Sequence, residues 1–405
     1  MYDVKSSKAE EFISDEEILD TLDYAEKNKS NKELIEALLQ KAASLKGLTH
    51  REAAVLLDCD LPEENEKMYR LAEQIKKDFY GNRIVMFAPL YLSNYCVNGC
   101  TYCPYHYKNK HICRKKLTQD EIRREVIALQ DMGHKRLALE TGEDPVNNPI
   151  EYVLESIKTI YSIKHKNGAI RRVNVNIAAT TVENYRKLKE AGIGTYILFQ
   201  ETYNKKAYEQ LHPTGPKSNY AYHTEAMDRA MDGGIDDVGC GVLFGLNLYR
   251  YDFVGLLMHA EHLEAAKGVG PHTISVPRIR PAFEVSNKYN DSGVVTRISG
   301  GWEAMRRRSC AVVSPERVAT AIFGTGSPCA SHCAAMPSKG CSRFLATSAA
   351  SAFNGEIYST RTPARRVRGT VINRSMAERN AANVLPEPVG AMTKTLRPEW
   401  IAGHA

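Results

Sequence analysis

The sequence lacks any uninterrupted apolar run approaching the ~18 residues of a membrane-spanning helix. It also lacks an apolar signal core near its start, where residues 1–11 are polar and carry charges of both signs. These absences predict a cytoplasmic protein that does not associate with membranes. In that compartment, the 10 cysteines favour metal or redox chemistry over disulfide bonds.

Lysine and tyrosine become scarce in the last part of the 405-residue chain. Residues 1–282 contain 38 Lys+Arg and 40 Asp+Glu, whereas residues 283–405 contain 16 and 8. Only Tyr289 and Tyr358, of 21 tyrosines, lie in this tail. The net charge of +6 therefore belongs to the tail and does not predict nucleic-acid binding. The tail is a linker with a second domain, a disordered segment, or foreign sequence joined by gene fusion or assembly error.

Residues 1–80 predict a helical N-terminal extension. Ser14 with Glu17, and Thr49 with Glu52, have the spacing of capping boxes, in which hydroxyl and carboxylate groups satisfy free backbone N–H groups. Apolar residues recur between them at the spacing of amphipathic helices.

Residues 81–282 alternate between apolar runs and helical patterns. The predicted strands are Ile84–Leu92, Arg136–Glu140, Arg172–Ile177, Thr195–Gln200, Val238–Phe244 and Thr273–Ile279. The predicted helices are Thr118–Met132, Ile150–His165, Val182–Ala191, Tyr220–Met231 and Phe253–Ala266. Repeated βα units predict a parallel sheet, and both a (β/α) barrel of the TIM type and a doubly wound open sheet satisfy this pattern.

The strongest chemical signal is a group of three cysteines just after the first predicted strand, Cys96, Cys100 and Cys103. Gly99 permits a tight backbone path between them. A cubane iron–sulfur cluster has four irons, so three thiolates leave one iron open to another ligand.

A zinc site is the alternative for the same cysteines, with His106, His111 or Cys113 as the fourth ligand. Structural zinc sites usually combine two Cys-x-x-Cys pairs, and this segment contains one. The spacing therefore favours the cluster over zinc.

The motif Cys-x₃-Cys-x₂-Cys resembles the signature of the radical S-adenosylmethionine (SAM) superfamily. Residues from about 45 to 282 resemble more closely the tyrosine lyases that mature [FeFe]-hydrogenase, and the thiamine-pathway tyrosine lyases are also similar. The matching segments are Leu90–Cys96, Cys103–Tyr107, Glu140–Glu143, Phe199–Tyr203, His212–Pro216 and Pro271–Pro281. The resemblance implies a radical SAM barrel, recognisable through six strands, with one [4Fe–4S] cluster and SAM as cofactors.

The same resemblance implies a set of SAM-binding residues. They are Tyr102 beside the adenine, Thr141, Gly142 and Glu143 at the amino group, and Glu201 at the ribose hydroxyls. A carboxylate near an ammonium group is chemically reasonable. Glu201 has the alternative of an ion pair with Lys205 or Lys206 at the rim of the barrel.

Candidate substrate-binding residues alternate with apolar residues in the last predicted strand, namely His272, Arg278 and Arg280. An arginine there would bind a substrate carboxylate through two hydrogen bonds. The sequence does not decide which of them face the interior, because a shift of one residue in register reverses every side chain.

The resemblance implies cleavage of the Cα–Cβ bond of L-tyrosine to p-cresol and dehydroglycine, a precursor of carbon monoxide and cyanide. The implied partners are tyrosine, an electron donor such as ferredoxin or flavodoxin, and other hydrogenase maturation proteins. Two alternatives stay open. One is a thiamine-pathway lyase that stops at dehydroglycine, and the other is a defective or fused chain that binds a cluster without full activity.

The tail departs from the hydrogenase-maturation family. Its cysteines, Cys310, Cys329, Cys333 and Cys341, do not have the spacing of that family's auxiliary-cluster motif. The last two barrel strands are not recognisable either. We therefore expect one cluster, weak SAM cleavage and no release of carbon monoxide.

Overall fold

A computed structural model describes residues 2–83, 85–166 and 168–279 of the chain. The tail predicted from residue 283, its four cysteines and Arg280 lie outside these residues. Among the described helices, none is long and apolar enough to cross a bilayer.

Secondary structure begins with helices and continues as alternating strands and helices. The described strands are β1 (Ala88–Ser93), β2 (Arg136–Thr141), β3 (Lys164–His165), β4 (Gly168–Ala169), β5 (Arg172–Asn176), β6 (Tyr196–Glu201), β7 (Val238–Val242) and β8 (Thr273–Ser275). The described helices are α1 (Ala9–Phe12), α2 (Asp15–Asn28), α3 (Lys32–Ala43), α4 (His50–Asp58), α5 (Pro62–Tyr80), α6 (Gln119–Asp131), α7 (Ile150–Ser162), α8 (Val182–Glu190), α9 (Lys205–Leu211), α10 (Tyr220–Thr224), α11 (Ala226–Asp232) and α12 (Tyr249–Lys267).

Six of these strands form one parallel sheet in the order β1-β2-β5-β6-β7-β8. The order follows the chain without the reversal that defines a doubly wound sheet. Right-handed crossovers then place the connecting helices on one face, as in a (β/α) barrel. The described part of the chain is therefore of the TIM-like barrel type, and the doubly wound alternative is wrong.

The two faces of the sheet differ in polarity, as β5 shows. Val173 and Val175 are buried, whereas Arg172, Asn174 and Asn176 are only partly buried. Successive residues of a strand point to opposite faces, so the valines pack beneath the helices and the polar residues face the interior. The interior of the barrel is consequently polar enough to receive a polar ligand.

The N-terminal extension packs on α12. The ring Nδ1 of His50 lies 2.7 Å from the Glu261 carboxylate, and the Tyr251 hydroxyl donates to Asp15 at 2.6 Å. Because α12 contacts this extension on one side and β7 on the other, it is buried around most of its circumference.

Three predicted helices differ from the structure, and one of them, expected over Phe253–Ala266, begins earlier, at Tyr249. The helix expected over Tyr220–Met231 is broken at Glu225, whose carboxylate accepts the backbone N–H of Ala9 at 3.0 Å. The helix expected over Ile150–His165 ends at Ser162, because its last two residues pair with β4 in a small antiparallel ribbon. A contact between residues distant in the chain accompanies the break at Glu225, and a local hairpin accompanies the end at Ser162. The short helix α9 was not predicted.

One predicted capping box makes both of its hydrogen bonds, and the other makes only one. Thr49 accepts the backbone N–H of Glu52, and the Glu52 carboxylate accepts that of Thr49. Ser14 likewise accepts the backbone N–H of Glu17 at 3.3 Å. The Glu17 carboxylate, however, accepts a hydrogen bond from Arg51 at 2.7 Å, because α4 packs against α2.

Candidate functional site

The three cysteines lie in the loop that follows β1, at the carboxyl edge of the sheet. Asn94 closes the base of this loop: its Oδ1 accepts the backbone N–H of Lys115 at 2.7 Å, and its Nδ2 donates to the Cys113 carbonyl at 2.9 Å. The Arg114 guanidinium donates to four carbonyl oxygens of the same loop. These bonds hold residues 94–115 as one compact unit.

A second loop, after α9, lies against the cysteines. Asn98 Nδ2 donates to the Glu143 carboxylate at 2.6 Å, while its Oδ1 accepts the backbone N–H of Lys217 at 3.0 Å. The backbone N–H of Gly99 donates to the Thr214 carbonyl at 3.0 Å. A Cβ on Gly99 would lie 2.3 Å from Thr214 Oγ1, so a larger residue would require the Thr214 side chain or one of the two loops to shift. The glycine predicted to ease the backbone path thus also lies in close contact with a neighbouring loop.

The three thiols are partly or fully buried and close enough to influence one another's ionisation. Burial raises the pKa of Cys96, raises that of Cys100 strongly, and raises that of Cys103 to about 12. Ligation by iron would favour the thiolate and overcome this effect of burial. The donor set of three buried sulfurs thus fits a metal cluster.

Within residues 2–83, 85–166 and 168–279, no three histidine, cysteine, aspartate or glutamate side chains gather around a point where one metal ion would sit. In an iron–sulfur cluster each cysteine binds a different iron, so its ligands need not converge on one point. Cys113 and His111 are exposed on the loop beyond the three thiols.

A buried ion pair lies beside the cysteines. Lys217 Nζ donates to Glu201 Oε1 at 2.6 Å, and the Glu201 side chain is 1% exposed. Burial disfavours the charged amine, but the charges of Glu201 and the Cys100 thiolate outweigh it and raise the pKa of Lys217. Among the described residues, the second carboxylate oxygen, Oε2, has no hydrogen-bond partner.

The sequence named the wrong lysine partners for Glu201. The expected alternatives were Lys205 and Lys206, at the start of α9, but Lys205 pairs with Glu10 on the surface. Lys217 reaches the carboxylate because the loop after α9 folds back over the end of β6, which spacing along the chain does not reveal. The backbone of Glu201 also lies in the left-handed region, with a φ of 71°, at the point where β6 ends.

Tyr102 lies between the second and third cysteines and is fully buried. Its hydroxyl lies 2.8 Å from His212 Nε2, and His212 Nδ1 lies 2.8 Å from the Tyr208 carbonyl. Burial lowers the pKa of His212, which keeps the ring neutral. A neutral ring facing a carbonyl through Nδ1 carries its proton there, so Tyr102 donates to Nε2. This pair fixes the tyrosine ring beside the cysteines.

Thr141, Gly142 and Glu143 lie at the end of β2 and in the loop that follows it, next to the cysteine loop. The backbone N–H of Gly142 donates to the Ser93 carbonyl at 3.1 Å, and a Cβ there would lie 2.3 Å from the Tyr95 carbonyl oxygen. Burial raises the pKa of Glu143. The structure thus brings this segment, Tyr102 and Glu201 to the edge that holds the three cysteines.

Glu140 is a site residue for which the sequence indicated no separate role. It lies opposite Tyr91 of β1 and Asn176 of β5 in the sheet register. Burial raises its pKa well above the usual range, although a hydrogen bond from Asn176 acts in the opposite direction. The sequence could have indicated this position, because Glu140 follows the buried Leu139 in a strand and successive strand residues point to opposite faces.

The candidate substrate residues are separated. His272 precedes β8 at the amino edge of the sheet, with a side chain that is 61% exposed and lies 3.5 Å from Asp237. Arg278 pairs with Phe244 in an isolated parallel bridge beyond β7, at the carboxyl edge. The structure therefore brings Arg278, but not His272, to the edge that carries the cysteines.

Fold and site together define a (β/α) barrel with a three-cysteine loop at the carboxyl edge of its first strand. Residues 90–248 match the model of the Radical SAM superfamily. Two solved structures are similar: HydG, a maturase of the [FeFe]-hydrogenase, with 53% identity and a TM-score of 0.70, and HydG from Carboxydothermus hydrogenoformans, with 36% identity and a TM-score of 0.66. Both matches cover 78% of this chain, and they cover 66% and 70% of the HydG chains.

The 2-iminoacetate synthase of Salmonella typhimurium is 30% identical over 244 residues, which are 60% of this chain and 63% of that protein. The chain belongs to the radical SAM superfamily and, within it, to the family of HydG. Its cofactors are those of the superfamily, a [4Fe–4S] cluster and SAM. The buried thiols suit the cluster, and the unpartnered Oε2 of Glu201 suits a hydroxyl-bearing ligand.

Proposed function

We propose that this chain is a radical SAM lyase that cleaves the Cα–Cβ bond of L-tyrosine to p-cresol and dehydroglycine. The observation that carries the proposal is the 53% identity to HydG together with the three-cysteine loop at the carboxyl edge. The match to a 2-iminoacetate synthase supports the same chemistry, because 2-iminoacetate and dehydroglycine are one compound.

In this proposal Cys96, Cys100 and Cys103 ligate three irons of the cluster. When bound, the cluster and SAM supply a radical that removes hydrogen from the substrate. The protein binds, orients and shields the reactants. Asn98 and Arg114 hold the thiol loop at the carboxyl edge of the sheet, where the three cysteines would carry the cluster.

SAM would lie between the cysteine loop and the end of β6. We propose Thr141, Gly142 and Glu143 at its amino group, Glu201 at the ribose hydroxyls and Tyr102 beside the adenine. Glu201 is suited to this role because Lys217 occupies one oxygen and leaves Oε2 as a buried acceptor. A hydroxyl that donates to Oε2 would satisfy a group that is otherwise costly to bury.

The tyrosine carboxylate needs a cation on the interior side of the sheet. Arg278 is the described candidate at the carboxyl edge, and Arg280 follows it outside the described residues. We do not retain His272 in this role, because it lies at the opposite edge.

The step after dehydroglycine separates two functions. Similarity to HydG favours conversion to carbon monoxide and cyanide in hydrogenase maturation, with the other maturation proteins as partners. Similarity to 2-iminoacetate synthase favours a reaction that stops at dehydroglycine. The chain spans 63% of the length of that synthase and 66% of the first HydG structure, so later steps are proposed only for a chain that has the additional segments.

A low-potential cluster needs a reducing compartment, which favours the cytoplasm.

The test is anaerobic incubation of the reconstituted full chain with SAM, reductant and tyrosine, followed by assays for p-cresol and released gas. We expect p-cresol from the unmodified chain and none from Cys100→Ser, which removes a buried thiol of the loop. Cys113→Ser is the matched control, because Cys113 is exposed outside the trio, and it should retain p-cresol formation. SAM cleavage without p-cresol would favour the defective-chain alternative and contradict the proposal.

A further inference from the structure

The segment around the cysteines contains no acidic residue. Residues 79–119 contain no aspartate or glutamate but include Arg83, Lys108, Lys110, Arg114, Lys115 and Lys116. Residues 1–282 as a whole carry slightly more acidic than basic residues, 40 against 38. The segment that holds the three cysteines therefore has an excess of 6 basic residues, within a part of the chain that has an excess of 2 acidic residues.

Three of these cations are engaged with other parts of the protein. Arg114 donates to carbonyl groups of its own loop, Lys115 Nζ donates to Glu121 at 2.6 Å, and Lys116 lies 4.1 Å from the centroid of the Tyr152 ring. Their charge is partly neutralised or directed inward. A partner would therefore meet other side chains first.

Four neighbouring residues of the loop are exposed, and we call them the basic face: Tyr107, Lys108, Lys110 and His111. Lys108 Nζ lies 5.7 Å from the centroid of the Tyr107 ring, and Lys110 Nζ lies 3.3 Å from the Tyr107 carbonyl oxygen. An exposed aromatic residue with two lysines next to it forms a surface that suits an acidic protein partner.

The basic face is in direct contact with the cysteine loop. The backbone N–H of Tyr107 donates to the Asn98 carbonyl at 2.9 Å, and the ring of Tyr107 lies 3.3 Å from the Cβ position of Gly99. The backbone N–H of His106 also donates to the Cys103 carbonyl at 3.2 Å. Only the Tyr107 side chain would thus separate a bound partner from the segment Cys96–Cys103.

We propose that the basic face is the docking surface for the protein that delivers the electron, a small acidic one-electron carrier. Complementary charge would steer the carrier to the edge nearest the cluster and orient it there. One electron would pass from the carrier to the cluster. The carrier would lose that electron, the cluster would be reduced from the 2+ to the 1+ state, and no atom or proton would be transferred. The proposal rests on the cluster and not on the identity of the substrate.

The test measures binding of a small acidic ferredoxin to the anaerobically reconstituted full chain. We expect Lys108→Glu with Lys110→Glu to weaken the affinity by about 10-fold or more at low salt, because attraction becomes repulsion. The matched control is Lys46→Glu with Lys158→Glu, two exposed lysines outside the basic face with the same change in net charge. The control should stay within about twofold of the unmodified chain.

A second readout follows the cluster absorbance during reduction. The ferredoxin should reduce the Lys108→Glu and Lys110→Glu variant about 10-fold more slowly, whereas a photoexcited deazaflavin should reduce it at an unchanged rate. Lys108→Gln with Lys110→Gln, which only neutralises the charges, serves if the reversed variant does not fold.

Three outcomes would overturn the proposal: equal losses in the control variant, equal binding of a redox-inactive acidic protein of matched charge, or equal binding of single-stranded RNA. Neither readout requires tyrosine, so failure here is distinguishable from failure of the proposed lyase activity.

Discussion

Two buried groups of ionisable side chains in this protein are built differently. Between the N-terminal extension and α12, the ring of His50 lies between Glu17 and Glu261, with both nitrogens hydrogen-bonded. At the carboxyl edge, Lys217 engages one oxygen of Glu201 and leaves the other without a partner among the described residues. A fully bonded group fixes two elements together, whereas a spare buried acceptor is suited to a ligand.

The largest effect is expected when the ion pair at the carboxyl edge is broken. Lys217→Met keeps the length of the side chain but leaves a carboxylate that is 1% exposed without its cation. Removal of one partner of a buried pair costs about 3–5 kcal/mol. Chemical denaturation of the unmodified and variant proteins would measure the change in unfolding free energy.

The surface pair of Lys205 with Glu10 provides the control for this variant. Lys205→Met should cost less than about 1 kcal/mol, because exposed ion pairs contribute little. Adding Glu201→Gln to Lys217→Met should recover part of the loss. Equal effects of the two lysine variants would mean that the buried pair is not a distinct feature of this edge.

A smaller effect is expected where the cysteine loop meets the loop after α9. Gly99→Ala would place a methyl group 2.3 Å from Thr214 Oγ1, so the Thr214 side chain or one of the loops must shift. Such overpacking costs about 1–3 kcal/mol, and the iron bound per chain should fall with it. Denaturation midpoints and iron content of the purified protein would measure both.

Thr214→Ala should restore stability and iron content to the Gly99→Ala chain, because it removes the clashing oxygen. Gly168→Ala is the matched glycine control, since its added Cβ would meet no atom closer than 3.5 Å. An unrescued loss would show that Gly99 is required for another reason.

The smallest effect is expected at His50 and depends on pH. Burial lowers its pKa, but hydrogen bonds and charges from Glu261 and Glu17 outweigh burial and raise the pKa above 6.5. The protonated ring therefore adds stability that is complete below the unfolded-state pKa and is lost as pH rises through the folded-state pKa. Unfolding free energies at about pH 6 and pH 9 should differ less in His50→Gln than in the unmodified chain. An unchanged pH dependence would show that another group controls it.

The sequence predicted all six strands of the sheet because local alternation and burial determine them together, but β1 begins at Ala88, not Ile84, and β8 ends at Ser275, not Ile279. Val173 and Val175 alternate with polar neighbours, and this pattern placed β5 correctly. The helix over Tyr220–Met231 was predicted as continuous because its break depends on a contact between Glu225 and Ala9, which are distant in the chain. Local propensity contains no information on such a contact.

The candidate site shows the same division. The cysteines and the Glu201 position were predictable, because motif spacing and the end of a strand are local features. Lys217 was not, because its approach to Glu201 depends on the path of the intervening loop. His272 was expected in the last strand's alternating set, but it precedes β8 and so lies at the amino edge.

In the proposed cluster, three protein thiolates leave one iron open to SAM. The most direct test is electron–nuclear double resonance of the reduced, reconstituted chain with SAM isotopically labelled at its amino nitrogen. We expect a coupling between that nitrogen and the cluster, which disappears in Cys103→Ser and persists in Cys113→Ser. A cluster with four protein ligands and no coupling to the labelled nitrogen would contradict it.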